Sequence, residues 1–265
     1  MNNEQYIKSI KVDELEVKIY NNRQSMGKAA ADEVAEMLEL LLQQQENVRM
    51  VFAAAPSQNE LLSELSQKKN IDWQRITAFH MDEYIGLDEN SPQSFAHYLK
   101  QNIFSKLPFK NVYLISRTDL DAEANCTRYA DLFKQAPIDV ICMGIGENGH
   151  IAFNDPPVAD FNDPNLVKVV QLDNACRVQQ VNDGCFSSLE AVPEKAITLT
   201  IPAMLSAKHL FIVVPGKLKA KAIERTLNGA ISTECPASVL RTHKNAKLFL
   251  DKDSSMELKN ITPTE

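Results

Sequence analysis

Apolar and polar positions switch between two periods over the first 150 residues, and the switches mark the elements. Residues 16–20 alternate with a period of two, as a short strand does. Met26, Ala30, Val34, Met37, Leu38, Leu41 and Leu42 then recur at helical spacing, which predicts an amphipathic helix over 25–44. The run 48–55 reads as a buried strand that stops at Pro56-Ser57, and a helical pattern follows over 59–65. The succession repeats with a strand over 71–79, helical spacing over 94–104, a short strand over 112–115, a helix over 122–134 and a buried strand over 138–143. Parallel neighbours need crossover connections, so this alternation predicts a mostly parallel sheet covered by helices on both faces.

Past Pro157 the pattern is less regular. Strands are predicted over 167–172, 196–201, 209–214 and 246–250, with a turn or short helix over 201–205 and a helix over 218–227. No internal repeat or low-complexity linker divides the chain, so residues 15–251 read as a single α/β domain. The polar stretches 1–14 and 252–265 read as a loose leader and a C-terminal tail.

Charge narrows the partners. The 265 residues carry a formal net charge of -7, with no basic block, which argues against nucleic acid or an anionic membrane surface. A small anionic substrate needs only a few local donors and stays open. The five cysteines (Cys126, Cys142, Cys176, Cys185 and Cys235) show no metal-ligand spacing, and their odd number and scatter fit a reducing compartment. With no apolar signal region at the start and no run of membrane-spanning length, the expected location is cytoplasmic.

The densest chemistry follows the strand at 138–143. Gly144, Gly146 and Gly149 fall within six residues, followed by His150, Asn154 and Asp155. Glycine lets a ligand approach the main chain closely, and a strand feeding such a turn is how an open α/β sheet builds a site at a strand's carboxyl end. His150 can pass protons near neutral pH, and Asp155 can orient its ring and raise its basicity. The plain alternative is a histidine hydrogen-bonded inside a tight turn. Asp82-Glu83 ends another strand, where Asp82 can serve as a general base or simply cap the helix that follows. His80, Asp82 and His150 lack a zinc spacing, so no metal is expected. Pro56-Ser57 opens a helix after a strand, a natural anion site that is also ordinary capping. Lys219, just past Val214-Pro215-Gly216, is placed to reach a phosphate; its bland reading is a solvated helical lysine.

Two long segments carry a resemblance. Phe79-His80-Met81-Asp82-Glu83-Tyr84-Ile85-Gly86-Leu87, followed by Ser91-Pro92-Gln93-Ser94-Phe95, resembles the hallmark of the glucosamine-6-phosphate deaminases (also called isomerases). Gly144 to Pro156 is similar to their glycine–histidine loop. Val192-Pro193, Lys219-Ala220 and the run from Pro236 to His243 fall in the family's order. The resemblance implies a three-layer α/β sandwich around a Rossmann-like sheet, the fold of the 6-phosphogluconolactonases. It implies opening of an amino-sugar phosphate ring, proton transfer from C2 to C1, and hydrolysis to a ketose phosphate and ammonia. No metal or organic cofactor is implied. Asp82 matches the proton-shuttling base, His150 the ring-opening histidine, and Asp155 the carboxylate that relays to it. Ser57 and Lys219 match phosphate contacts. Whether the chain forms a homo-oligomer does not follow, since family members differ.

Three departures stand out. The family's Asp before Gly-His is Asn148 here, and its Glu is shortened to Asp155, leaving Asp155 and His150 to carry the relay with Glu147 as an extra carboxylate. The phosphate loop reads Ala54-Ala55-Pro56-Ser57-Gln58, where Ala55 replaces a glycine and Pro56 removes an N–H donor. The family's phosphate arginine falls near Asn182 in an altered segment, so Arg177 and Arg241 are the expected replacements. These changes leave the sugar open, a galactosamine epimer included. The allosteric arginine of hexameric bacterial members is missing near Leu166, so no activation of that kind is expected. Two other readings remain: a lactonase-like hydrolase, and a sugar-phosphate sensor that lost catalysis. A purely structural role is disfavoured, because a scaffold has no need of such side chains at three strand ends.

Overall fold

The computed structural model describes residues 6–88, 90–116 and 120–258. In chain order they form β1 (Tyr6–Val12), β2 (Leu15–Tyr20), α1 (Arg23–Gln44), β3 (Val48–Phe52), α2 (Asn59–Leu65), β4 (Ile76–His80), β5 (Asp82–Tyr84), α3 (Phe95–Leu99) and β6 (Asn111–Tyr113). There follow α4 (Ala122–Lys134), β7 (Val140–Met143), β8 (Val167–Gln171), α5 (Asn174–Asn182), β9 (Lys195–Leu199), α6 (Ile201–Leu205), β10 (His209–Val214), α7 (Ala220–Asn228) and β11 (Ala246–Asp251). The main sheet runs β1-β2-β11-β10-β7-β3-β4-β6, parallel at every pairing except β1 with β2. A smaller antiparallel sheet has the order β5-β9-β8.

Because the parallel strands are buried on both faces, consecutive residues serve opposite cores. In β10, Leu210, Ile212 and Val214 face one core while Phe211 and Val213 face the other; β7 divides the same way, Ile141 and Met143 against Val140 and Cys142. Tyr129 and Phe133 of α4 and Ile223 and Leu227 of α7 cover the first face. Met26, Val34 and Leu38 of α1 and Leu61, Leu62 and Leu65 of α2 cover the second. This is the three-layer α/β architecture that the alternation predicts.

Several expectations change. Residues 6–12 are not a loose leader: they form β1, hairpinned onto β2, and Ile10 is buried in the first core beside Leu15, Val17 and Ile19. Lys8 and Lys11 mask that strand in the sequence. Residues 1–5 lie outside the described residues. The tail begins in order, since Ser254 is fully buried and its N–H donates to Asp251 at 2.8 Å; residues 259–265 lie outside the described residues. The strand expected from residue 71 starts at Ile76, after a 3-10 turn over Trp73–Arg75. The helical spacing over 94–104 is α3 followed by a wider π turn, Lys100–Phe104. No helix among the described residues is long and apolar enough to cross a membrane.

The chain steps from β3 outward through β4 to β6, then returns to lay β7 on the other side of β3. Connections therefore diverge between β3 and β7, and the crevice beyond the carboxyl ends of such strands is where open α/β sheets take ligands.

Candidate active site

A cavity of about 700 Å³ opens at that reversal, where β3, β4, β7 and β10 end. Ala55, Ser57, Asp82, His150 and Lys219 all line it. Asn148 and Asp155 stand behind His150 and fix it from the protein side.

The turn after β7 is shaped around that histidine. Gly146 N–H donates to the His150 carbonyl at 2.9 Å, and Gly149 N–H donates to the Gly146 carbonyl at 3.0 Å. A Cβ on Gly146 would lie 2.1 Å from His150 Cε1, so only glycine lets the ring lie across the turn. Gly149 adopts a φ of 90°, a left-handed angle that favours glycine. Its carbonyl accepts from Ala237 N–H at 2.8 Å, which ties the turn to the segment after α7. His150 Nδ1 lies 3.0 Å from Asp155 Oδ1 and 2.8 Å from Asn148 Oδ1. Asp155 is fully buried; burial raises its pKa, but His150 and the Asn148 amide outweigh that and hold it below the ordinary carboxylate range. Asn154, also fully buried, donates to the carbonyls of Ile151 and Leu199 at 3.0 and 2.9 Å, a structural tie to β9.

Asp82 opens β5 and is buried at the cavity wall. Burial, and secondarily the charge of Glu83, push its carboxyl well above the usual range. It does not cap the following helix. That position belongs to Ser94, whose Oγ accepts from His97 N–H at 3.0 Å, and Glu83 accepts from the first N–H groups of α3.

A cation marks another part of the cavity. Lys219 is buried and makes no hydrogen bond or ion pair through its ammonium group among the described residues. Desolvation lowers its pKa, against the opposing pull of Asp183 and Glu147. Gly216, with φ 89°, precedes it, and both Asp251 carboxylate oxygens accept from Gly216 N–H at 3.0 and 3.1 Å. Ser57 Oγ accepts from Gln58 Nε2 at 3.1 Å, so its own O–H is free to donate to a ligand. Gln58 is itself fully buried and donates to the Val213 carbonyl at 3.1 Å, which joins the Ser57 turn to β10.

Residues 21–249 match the family described as glucosamine-6-phosphate isomerases/6-phosphogluconolactonase. The chain belongs to that family. A glucosamine-6-phosphate deaminase of Bacillus cereus (strain B4264) is 34% identical over 218 residues, covering 82% of this chain and 81% of that one. Among solved structures, a monomeric glucosamine-6-phosphate deaminase superposes with a TM-score of 0.82 at 29% identity, over 92% of this chain and 99% of the other. The 6-phosphogluconolactonase of Thermotoga maritima shares the fold, with a TM-score of 0.74 at 21% identity over 89% and 99% of the two chains.

The cations are arranged differently from the expectation drawn from the sequence. Neither arginine proposed to replace the missing one reaches the cavity. Arg177 donates to the carbonyls of Leu189 and Val192 at 2.9 and 3.0 Å, locking α5 to the loop before β9. Arg241 pairs with Asp13 at 2.6 Å and donates to the Gly229 carbonyl at 2.6 Å. Arg23, at the start of α1, lines the cavity instead, held by Glu60 at 2.7 Å and by the Pro56 carbonyl at 2.8 Å. Gln179, Gln180 and Asp183 also line it, from α5 and its C-cap. Glu147 is not part of the wall. His80 is fully buried and accepts from Ile115 N–H at 2.8 Å; burial lowers its pKa to about 3, so it stays neutral as a structural residue.

The one metal-like convergence among the described residues is not the set weighed from sequence. It joins His150, Asp155 and Cys176, whose ligand atoms lie within 4.8 Å of one another. His150 Nδ1 and Asp155 Oδ1 are already bonded to each other, and burial keeps the Cys176 thiol far above its ordinary pKa. The set therefore reads as a hydrogen-bonded cluster.

Proposed function

We propose that this chain is an amino-sugar phosphate deaminase/isomerase, acting on glucosamine 6-phosphate or a close epimer. The observation that carries the reading is the cavity itself. It gathers an acid–base histidine backed by a carboxylate, a second carboxylate without a described donor, and a buried unpaired ammonium. The relatives named glucosamine-6-phosphate deaminase support the same chemistry.

In this reading Lys219 and the Ser57 hydroxyl hold the phosphate, with Arg23 adding positive charge at the same end. His150 takes the proton from the C1 hydroxyl and returns it to the ring oxygen as the C1–O5 bond breaks. Asp82 then removes the proton from C2 and delivers it to C1, while the C1 oxygen takes up the proton that the C2 ammonium gives up as it becomes an imine. That task requires an ionised carboxylate held within reach of both carbons. Burial opposes ionisation of Asp82, and the substrate's own C2 ammonium favours it, so the base is charged most readily when the substrate is bound. Water adds to the resulting C2 imine, ammonia leaves, and the product is the ketose phosphate.

Ammonia release is the decisive measurement. Glucosamine 6-phosphate, galactosamine 6-phosphate, their N-acetyl forms and the unphosphorylated sugars form the panel, with Asp82→Asn as control. Release from a phosphorylated free amine that vanishes in the control supports the reading. Lactone hydrolysis without any ammonia release would overturn it.

A further inference from the structure

We infer that Asn148 is a positioning residue that locks His150 in the Nδ1–H tautomer and leaves the Nε2 lone pair available to the cavity. What that lone pair does in catalysis rests on the deaminase reading; the tautomer stands on the hydrogen bonds alone. An amide has a donor end and an acceptor end, and its neighbours decide which way it points. Asn148 Nδ2 lies 2.8 Å from Asp155 Oδ1, an ionised acceptor. Turned over, the amide would set its oxygen against that carboxylate and its NH₂ against the His150 backbone N–H. Both would be like-to-like contacts, so the orientation is fixed. The Asn148 oxygen then accepts from His150 N–H at 3.0 Å and faces Nδ1 at 2.8 Å.

Nδ1 thus meets two acceptors, Asn148 Oδ1 and Asp155 Oδ1, and no donor among the described residues. It must carry the proton. A neutral imidazole has one N–H, so Nε2 is left as a base. The opposite ring edge of His150 is the part that can face ligand, since the residue lines the cavity while both acceptors stand behind it. The Cys176 thiol lies within 4.8 Å and is the remaining polar group of the cluster; Asp155 Oδ2 is buried and has no N–H or O–H donor among the described residues. As a thiol it adds no second negative charge.

This changes what Asn148 means. An aspartate at this position would place a second carboxylate against the same imidazole and favour the doubly protonated ring, which has no lone pair to accept the C1 hydroxyl proton. Asn148 supplies the geometry of a carboxylate with one acceptor oxygen and no charge, so a single carboxylate supports the ring. In the reaction read above, the C1 hydroxyl proton passes to Nε2, the C1–O5 pair goes to O5, and the imidazolium returns the proton there. Nδ1–H stays with Asp155 and Asn148 throughout.

Nitrogen NMR of the full ¹⁵N-labelled chain tests the lock without any substrate. His150 is assigned by comparison with His150→Gln. At pH 8 the wild-type ring should show a protonated Nδ1 and an unprotonated Nε2. Asn148→Ala should show mixed tautomers, and in Asn148→Asp the second carboxylate should favour the doubly protonated ring. A wild-type spectrum with the proton on Nε2 overturns the inference, whether or not the variants fold. An Asn148→Ala spectrum identical to wild type overturns it too, because Asp155 alone would then fix the ring. If no amino sugar yields ammonia while the spectra behave as described, the deaminase reading fails and the lock stands.

Discussion

Asp82 and Glu83 are adjacent in β5 and both buried, yet their carboxylates are treated in opposite ways. Glu83 accepts from the backbone N–H groups of Tyr84, Phe95 and Ala96, at 3.0, 3.0 and 2.8 Å. Asp82 has no such donors among the described residues and faces the cavity. The strand period of two explains the split: successive side chains leave opposite sides of β5. Glu83 anchors the start of α3 so that Asp82 can be held, unbonded, at the wall.

Glu83→Ala should leave three buried N–H groups without a partner. An unsatisfied buried donor costs about 1–3 kcal/mol, and a chain of this size loses about 2–4 °C of Tm per kcal/mol. A thermal melt should therefore fall by several degrees, with Glu83→Gln in between. An unchanged melt would remove Glu83 from the role of anchor.

Asp82→Asn should abolish ammonia release, by at least ~10²-fold in kcat, as loss of a general base does. It should also stabilise the chain at neutral pH. The sign follows from the raised folded-state pKa of Asp82. The folded chain holds that proton more tightly than the unfolded one, so the contribution is present below about pH 4 and is lost as pH rises through the folded value. The asparagine has no such loss. Melts at pH 4 and pH 8 should show the variant gaining on wild type at the higher pH; equal differences at both would mean that Asp82 is not a strained carboxylate.

Lys219→Met should raise KM for phosphorylated sugars about 10- to 100-fold, the worth of a charge-assisted hydrogen bond of about 1.5–3 kcal/mol. The fold should tolerate it, since a buried and unpaired ammonium is replaced by an apolar chain of similar length. Unphosphorylated analogues should bind the variant and wild type alike. Equal loss for both ligand classes would move the anion site elsewhere.

How much of this was legible in the sequence depended on whether the signal was local. α1 and α4 show a clean helical stripe, and the 122–134 helix has the predicted ends. His150, Asp155 and Asp82 sit in short motifs at strand ends, where topology brings them to one crevice. α5 was missed because its buried face is Cys176, Gln179 and Gln180, two of them amides packed toward a cavity rather than a core. β5 has only three residues, too few for a period to register. Arg23 reaches the site from the start of α1, far from these motifs in sequence, and nothing in its own neighbourhood announces it.

Gly146→Ala tests the turn that holds the histidine. The added methyl would overlap the His150 ring, whose Cε1, Nδ1 and Nε2 lie 2.1, 2.3 and 2.3 Å from the ideal Cβ. The ring must move, and a displacement of about 1 Å in a reacting group can cost about 10²-fold in rate. Ammonia release should fall by that order, and an unchanged rate would mean that the ring position is not set by this turn.

Arginine replacement separates resemblance from geometry. A phosphate role for Arg177 or Arg241 predicts that alanine at either position weakens the binding of phosphorylated sugars. The contacts predict otherwise: Arg241 spans Asp13 and the Gly229 carbonyl, joining the β1–β2 turn to the end of α7. Its alanine variant should lose about 1 kcal/mol or less from the partly exposed ion pair, plus the effect of one unmade bond to a carbonyl. KM should stay within about twofold, since one tenfold step in affinity corresponds to about 1.4 kcal/mol and no contact to ligand is removed. Arg177→Ala should loosen α5 against the segment at Leu189 and Val192, so its effect should appear in the melt first. A tenfold rise in KM for phosphorylated sugars alone, in either variant, would place that guanidinium on the phosphate in the bound state.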